Sequence, residues 1–306
     1  MSQTVKNYLL LFAQEFVDFR FAEIESIIKI FNISLKLPNV EPKNRPYWII
    51  ESCESDVKKI ASRSVSLKFV AELYCSGKTL DEFHENARNY VQFINKEYSK
   101  QSFKFIVETY NLHLKLAQKI EKIESMNYLD SALGPIDLIN PDNTMIYFEY
   151  HGLKNNEPKL EEIIFGKWIA DGRRDLISKI SLKNRKYIGN TSMDAQLSLL
   201  MANQGLCKEN DLMLDCFCGT GSLLVSCALF GSYVFGFDID YLTLHAQSKP
   251  VRAFMKTRDK DESVKANLEQ YNLQDKYIDV FVGDFSNCSL HERVVFDSII
   301  CDLNNM

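Results

Sequence analysis

Apolar residues follow two rhythms along the first half of the chain. A spacing of three to four residues predicts helices, whereas alternation and short apolar runs predict strands. The helical rhythm marks 24–31, 57–61, 83–94 and 116–123, and the strand rhythm marks 8–12, 47–50, 103–107 and 145–150. Because the two rhythms alternate, we expect a mixed α/β region over the first 150 residues.

The second half has the pattern of a doubly wound, Rossmann-like sheet. We predict strands at 212–217, 233–238, 278–283 and 295–302, with a helix at 221–230 and helical material up to 272. Strands that alternate with helices indicate a parallel sheet. Ligands of such sheets bind at the carboxyl ends of the strands, so the ligand-binding residues are expected there.

A polar segment at 152–158 (GLKNNEP) separates the two halves, and we place a domain boundary there. From 165 to 186 the chain is basic, with seven Lys and Arg residues against two Asp. We interpret residues 153–187 as a linker with a basic stretch. The stretch fits either a segment that docks on phosphates or a solvated helix face.

Composition excludes several classes of protein. The chain has 306 residues, 46% of them hydrophobic, and a net charge of −5, so contact with nucleic acid requires a local basic patch. Its eight cysteines lack the spacing of a zinc site, and reduced thiols in a cytoplasmic protein are the expected state. Because of this cysteine spacing, no metal site is expected. The apolar run at 8–12 is too short to span a membrane, so no membrane association is expected either.

The first candidate site is a glycine loop after an acid. Asp215 lies near the end of a predicted strand and is followed by Gly219 and Gly221 at the start of a helix. Glycines allow a ligand to approach the backbone, but position 224 lacks the third glycine of a dinucleotide site. A carboxylate repels a pyrophosphate and suits the positive charges of S-adenosylmethionine. The loop therefore favours a methyl donor over NAD.

Three more acids follow at the ends of the next predicted strands. Asp238 is placed to accept both hydroxyls of a ribose, Asp284 to accept from an adenine amino group, and Phe285 to pack on that ring. Asp302 ends the fourth strand, where enzymes that methylate exocyclic amines carry a catalytic acid. Those enzymes continue with Pro-Pro-Tyr or a close relative, whereas this chain continues with Leu303 and ends at Met306.

Several motifs together carry a family resemblance. In order they are FGKWIADG (165–172), IGNTSMD (188–194), DCFCGTG (215–221) and FDIDY (237–241), together with the opening YLLL at 8–11. Over essentially the whole chain up to Asp302, the sequence resembles the catalytic subunits of the eukaryotic tRNA (guanine-10-N2)-methyltransferases, a family of THUMP-containing class I methyltransferases.

The resemblance implies a domain plan, a cofactor and partners. It implies a small α/β domain at 1–60, a THUMP-like RNA-binding domain at 61–152, and an incomplete S-adenosylmethionine-dependent methyltransferase domain at 188–306. It places Thr191 and Ser192 near the methionine moiety of the cofactor. It also implies tRNA as the substrate and a small zinc-binding activator subunit that adds a strand to the sheet edge at 278–283.

The sequence departs from the family pattern at two points, of which the first is minor because a small apolar residue can pack there. Cys216 replaces the usual proline, and family members continue for well over a hundred residues beyond Asp302. We therefore expect 295–302 to form an exposed apolar edge. The truncation leaves open an inactive form that binds tRNA or a partner. Separately, a nicotinamide-dependent oxidoreductase is disfavoured by Asp215 and the missing third glycine, and a DNA adenine methyltransferase stays open because the motif order does not choose between amines.

Overall fold

The computed structural model describes residues 4–154, 158–252, 255–287, 290–291 and 293–302. Within these ranges the chain forms two compact units. The first contains the described residues up to Val17, Leu35–Ser62 and Leu67–Gly172. The second contains Asp18–Ser34, Arg63–Ser66 and the described residues from Arg173 onward. Both units are α/β, which confirms the predicted fold class.

The first unit is built on a six-stranded sheet with the order β2-β1-β3-β6-β5-β4. Neighbouring strands are antiparallel except for the parallel pair β4 and β5. Its strands are β1 (Lys6–Phe12), β2 (Tyr47–Ser52), β3 (Leu67–Gly77), β4 (Phe103–Tyr110), β5 (Asn143–Tyr150) and β6 (Glu162–Asp171). Its helices are α2 (Glu54–Ala61), α3 (Leu80–Asn89), α4 (Val91–Tyr98) and α5 (Leu116–Glu124).

The core of this unit forms because both faces of the sheet are apolar, and alternate strand positions enter two separate buried clusters. Phe83 of α3 and Ile94 of α4 are fully buried and pack in one cluster with Tyr147 and Phe165 of the sheet. The single helix predicted at 83–94 is in fact two helices. Tyr90 ends α3 with a hydrogen bond from its N–H to the Ala87 carbonyl, and α4 begins at the next residue.

The structure divides this half differently from the predicted domains. The proposed boundary at residue 60 is not a break in the sheet, since β1 pairs with β2 on one side and with β3 on the other. The interpretation of 153–187 as a linker is wrong for Glu162–Asp171, which forms β6 between β3 and β5. Of the predicted boundary segment 152–158, residues 155–157 lie outside the described ranges.

The second unit contains a four-stranded sheet with the order β10-β7-β8-β9, in which all pairs are parallel as predicted. Its strands are β7 (Leu212–Asp215), β8 (Tyr233–Asp238), β9 (Tyr277–Val282) and β10 (Ser298–Ile299). Its helices are α1 (Arg20–Ile30), α6 (Asp175–Lys179), α7 (Ala195–Gln204), α8 (Ser222–Leu229), α9 (Tyr241–Leu244) and α10 (Val264–Gln270).

Several elements of this unit are shorter than predicted. The strand predicted at 212–217 ends at Asp215, and β10 has only two residues of the predicted strand 295–302. The helical material expected up to 272 consists of α9 and α10, and the described residues between them, 245–252 and 255–263, form no helix. β9 and β10 are the two outer strands of the described sheet, as expected for 278–283, and Ile299 of β10 is largely exposed.

Helix α1 joins this unit although it precedes most of the other unit in sequence. Its Glu23 is fully buried, and the two carboxylate oxygens accept four hydrogen bonds. The donors are the Ser64 hydroxyl (2.8 Å), the backbone N–H groups of Val65 (2.7 Å) and Ser66 (3.1 Å), and the Asn203 side-chain amide of α7 (2.9 Å). A buried carboxylate is tolerated when it is satisfied in this way.

None of the helices in the described ranges has the length and apolar character that a membrane crossing requires.

Candidate active site

A cavity of about 290 Å³ lies at the carboxyl ends of the parallel strands in the second unit. Ligands bind at this edge of parallel sheets because the loops after the strands diverge there. The lining residues are Thr191, Ser192, Met193, Asp215, Cys216, Phe217, Cys218, Gly219, Thr220, Ser222, Leu223, Asp238, Ile239, Gly283, Asp284, Phe285, Ser286 and Asp302. This set includes every residue predicted for the site except Gly221, which lies at the end of the same glycine loop.

The loop between β7 and α8 needs its glycines. Gly219 has φ +49° and Gly221 has φ +82°, a region that residues with a Cβ adopt at a cost. A Cβ added at Gly219 would have no atom within 4 Å, so the backbone there faces open space in the cavity. A Cβ at Gly221 would lie only 2.7 Å from Val264 of α10. The first glycine therefore exposes backbone to a ligand, and the second allows a helix to pack closely.

Asp238 at the end of β8 holds the glycine loop and faces the cavity. One of its carboxylate oxygens accepts the Gly219 N–H at 2.8 Å, and the other accepts the Asp240 N–H at 2.9 Å. A carboxylate offers about four lone-pair sites, so two backbone donors leave acceptor capacity for a ligand. This arrangement suits a pair of neighbouring hydroxyl groups.

Asp215 is the most deeply buried acid of the site. Burial raises its pKa to about 7, and the nearby charges of Asp238 and Asp302 act in the same direction, while a hydrogen bond from the Phe217 N–H opposes the rise. A cation that bound beside it would favour the ionised form.

Asp284 and Phe285 follow β9 on the exposed rim of the cavity. The hydroxyl and the N–H of Ser286 both donate to one oxygen of Asp284 at 2.8 Å, and these bonds lower the pKa of the carboxyl group. The Phe285 ring lies 5.5 Å from the Phe217 ring, centroid to centroid. The rim therefore combines a fixed acceptor with two aromatic rings, which suits a planar heterocycle.

Thr191 and Ser192 also line the cavity, in the segment before α7. The Ser192 hydroxyl accepts the Gly189 N–H at 2.8 Å and lies 2.6 Å from the hydroxyl oxygen of Thr220 in the glycine loop. Asp194 begins α7 by accepting the N–H groups of Gln196 and Leu197. The helix start thus fixes this segment beside the glycine loop.

Asp302 follows β10 and lines the same cavity, so all four predicted acids converge at the ends of four strands. Residues 303–306, on which the departure from the Pro-Pro-Tyr pattern falls, lie outside the described ranges. Among the described lining residues there are four Asp side chains and no Lys, Arg or His. A cavity with this charge attracts a cation and repels a pyrophosphate.

Two supporting residues were not predicted from the sequence. Arg185, read there as part of a basic stretch, is fully buried and donates to the Ser222 hydroxyl at 2.7 Å, so it is not available to phosphates. Asn267 of α10 is fully buried and donates to the Thr220 carbonyl at 3.0 Å. The sequence carries no signal for either role, because both residues act through partners far away in the chain.

A parallel sheet with a glycine loop after the first strand and acids at four strand ends defines a Rossmann-like site of the class I methyltransferase type. Residues 6–174 match the Tmrp11 THUMP N-terminal domain family, and residues 183–303 match the RMKL-like methyltransferase domain family.

The chain is similar to named relatives over nearly its whole length. It is 39% identical to the tRNA (guanine(10)-N(2))-methyltransferase TRMT11 of Homo sapiens, over 99% of this chain and 66% of that protein. It is 32% identical to the tRNA (guanine(10)-N(2))-methyltransferase of Saccharomyces cerevisiae, over 97% of this chain and 67% of that protein. Among solved structures, TrmN from Thermus thermophilus is similar with a TM-score of 0.47 and 13% identity, over 91% of this chain and 73% of that one.

The chain belongs to the tRNA (guanine(10)-N(2))-methyltransferase family, which confirms the resemblance found in the sequence motifs. It spans about two thirds of the length of these relatives.

Proposed function

We propose that this chain transfers a methyl group from S-adenosylmethionine to the exocyclic N2 amine of a guanine in tRNA. The observation that carries the proposal is the cavity in which four carboxylates and a glycine loop meet without any basic side chain among the described lining residues. Such a cavity suits a donor that is cationic at its sulfonium and ammonium groups. It does not suit the phosphates of a nicotinamide dinucleotide.

Each part of the donor has a matching part of the cavity. Asp238 accepts from the ribose hydroxyls, Asp284 accepts from the adenine amino group, and Phe285 packs on the adenine ring. Asp215, the exposed backbone at Gly219 and the wall formed by Thr191 and Ser192 receive the methionine end. Gly221 serves the site indirectly, since it allows α10 to approach the loop.

Asp302 is the proposed catalytic residue. When bound, the donor supplies an electrophilic methyl group on a sulfonium. Asp302 accepts a hydrogen bond from the guanine amine and so directs its lone pair at the methyl carbon. The nitrogen becomes positive as the N–C bond forms and the C–S bond breaks, and the neutral thioether leaves as S-adenosylhomocysteine. The carboxylate stabilises the positive charge until the extra proton passes to solvent. Because Asp302 lines the cavity with the other acids, the geometry favours an active enzyme over the inactive alternative.

Methyl incorporation tests this function directly. Purified chain is incubated with the activator, labelled S-adenosylmethionine and an unmodified tRNA transcript, with duplex DNA as a second acceptor. We expect label in tRNA as N2-methylguanosine, lost when guanine 10 is replaced. Methylation of DNA adenine, or of another tRNA atom, would contradict the substrate assignment.

The pH dependence of ligand binding tests the role of Asp215. Because burial raises its pKa to about 7, Asp215 is mostly protonated at pH 6 and mostly ionised at pH 8. Only the ionised form attracts the ligand ammonium group. We expect the affinity for S-adenosylhomocysteine, measured by isothermal titration, to rise roughly tenfold between pH 6 and pH 8.

Asp215→Asn is the matched variant, since asparagine keeps the shape and does not titrate. Its affinity is expected to stay nearly constant over the same range, and an equally steep profile in the variant would assign the titration to another group.

Because the pKa of Asp215 is raised, the stability of the fold falls as the pH rises, whereas the affinity for the ligand increases. A raised carboxyl pKa stabilises the fold below the unfolded value of 3.8, and this contribution is lost as the pH rises through about 7.

We further infer that β9 is the docking edge for a small zinc-binding activator. β9 pairs only with β8 among the described strands, and Ile278 and Val282 are 49% and 41% exposed. The Gly283 N–H donates to the Asp238 carbonyl, so by strand alternation the N–H groups of residues 280 and 282 point away from β8. The Val280 N–H donates to the Asp279 carboxylate at 2.8 Å. An added strand would pair with the N–H of Val282 and take the place of the Asp279 carboxylate at Val280.

Val282→Pro removes one outward N–H and leaves the bonds to β8 intact. We expect this variant to lose copurification with the co-expressed activator, whereas Val282→Ala, which keeps the N–H, retains it. Equal retention by both variants would exclude pairing at this edge.

We also propose that the protein is cytoplasmic. The described cysteines are free thiols, which is the usual state of cysteines in that compartment.

A further inference from the structure

A series of hydrogen bonds, buried at Asn267 and part-buried at Ser192, joins α10 to two segments that line the cavity. It begins at Asn267, which is fully buried and outside the set of lining residues. The Asn267 side-chain oxygen accepts the Tyr187 N–H at 2.8 Å, and its amide nitrogen donates to the carbonyls of Tyr187 at 2.8 Å and Thr220 at 3.0 Å. The single side chain therefore holds two separate backbone segments.

The series of hydrogen bonds continues from Thr220 to Ser192, both of which line the cavity. Thr220, whose carbonyl accepts from Asn267, has its hydroxyl 2.6 Å from that of Ser192. The Ser192 hydroxyl in turn accepts the Gly189 N–H, two residues beyond Tyr187. Asn267, Thr220 and Ser192 thus close a loop of contacts between the segment 187–192 and the glycine loop.

The position of α10 leaves little freedom in this arrangement. Val264, one turn before Asn267, packs so closely on the glycine loop that a Cβ at Gly221 would lie 2.7 Å from its side chain. Buried hydrogen-bonded networks are rigid because each group left without a partner would be costly. The Asn267 amide and the contact between the Ser192 and Thr220 hydroxyls therefore hold the segment 187–192 and the glycine loop at a fixed separation.

We propose that Asn267 is a positioning residue that fixes the spacing of the pocket for the amino-acid end of the methyl donor. This inference rests on the proposed function, because it takes Thr191, Ser192 and the glycine loop as the walls around the methionine moiety. The ribose and adenine contacts come from Asp238 and Asp284, to which Asn267 has no bond in the described network. A substitution of Asn267 is therefore expected to weaken the binding of the amino-acid part of the ligand and to leave the binding of the adenosine part unchanged.

Two ligands that differ in that part provide the test. S-adenosylhomocysteine carries the amino-acid group, whereas 5′-deoxy-5′-methylthioadenosine has the same adenosine and thioether without it. Asn267→Asp keeps an acceptor for the Tyr187 N–H and removes the donor to the carbonyls of Tyr187 and Thr220. By isothermal titration we expect at least a tenfold loss of affinity for S-adenosylhomocysteine and less than a twofold change for methylthioadenosine.

Gln270→Glu is the matched control on the same helix. Gln270 accepts the Lys186 N–H and donates to the Asn184 carbonyl, both at 2.7 Å, and makes no bond to the glycine loop among the described contacts. The same chemical change there is expected to leave the ratio of the two affinities unchanged. Asn267→Ser, which buries no acid, provides the same measurement if Asn267→Asp does not fold.

The outcomes separate the inference from the function on which it rests. Equal losses for both ligands in a folded Asn267 variant, or no loss for either, would overturn the positioning role while the proposed function stands. Failure of the unsubstituted chain to bind S-adenosylhomocysteine would overturn both.

Discussion

Asp238→Ala is expected to lower the affinity for S-adenosylhomocysteine by about 100-fold or more. The variant loses the acceptor for two ribose hydroxyls, and each hydrogen bond to a charged group contributes about 1.5–3 kcal/mol. It also removes the oxygen that holds the Gly219 N–H at 2.8 Å, so the loop that exposes its backbone to the ligand is no longer fixed. Because 1.4 kcal/mol corresponds to a tenfold change, two lost bonds account for the predicted factor.

Isothermal titration measures this effect, and Asp275→Ala is the control. Asp275 is an exposed acid just before β9, away from the cavity-lining residues, so its removal changes the net charge equally. The control should bind as the unsubstituted chain does. If Asp238→Ala bound within threefold of the unsubstituted chain while remaining folded, the ribose would have to lie elsewhere.

Asp302→Asn is expected to reduce kcat for methyl transfer to tRNA by about 100- to 10,000-fold. Asparagine can still accept one hydrogen bond from the amine, but it carries no charge to stabilise the nitrogen as it becomes positive. Since Asp302 is assigned to the acceptor and not to the donor, the affinity for S-adenosylhomocysteine should change less than threefold. The split between kcat and binding is the specific signature of this role.

Asp297→Asn provides the matched control at the other end of the same strand. The Asp297 carboxylate accepts the Leu212 N–H at 2.8 Å, and asparagine retains an oxygen for that bond. Transfer by this variant should equal that of the unsubstituted chain. A large loss in the control, or a normal kcat in Asp302→Asn, would remove Asp302 from the mechanism.

Most of the candidate site could be predicted because its signals are local. The acids at 215, 238, 284 and 302 each follow an apolar run, and the ends of parallel strands meet at one edge of a sheet. Thr191 and Ser192 have no such signal and came only from the family resemblance. Asn267 and Arg185 act through bonds to residues 47 and 37 positions away, which no pattern of spacing reveals.

The errors in the fold have a common physical cause. β6 carries charged residues at both ends, and what makes it a strand is antiparallel pairing with β3, about 100 residues earlier. Such non-local pairing overrides the local signal of a basic stretch. Non-local pairing also decides the length of β10. Only Ser298 and Ile299 pair with Met213 and Leu214 of β7, so the strand has two residues although the apolar run in the sequence is longer.

The buried carboxylate of Glu23 has a consequence for the order in which the chain is made. Asn203, which completes its shell of donors, lies 180 residues later. During synthesis, segments tend to fold as they emerge from the ribosome, but the surface that covers α1 does not exist until α7 has been translated. We therefore expect α1 to stay exposed to solvent while the strands of the first unit are synthesised. The second unit can complete its core only after α7 is available to pack on α1, which is one of the first segments translated.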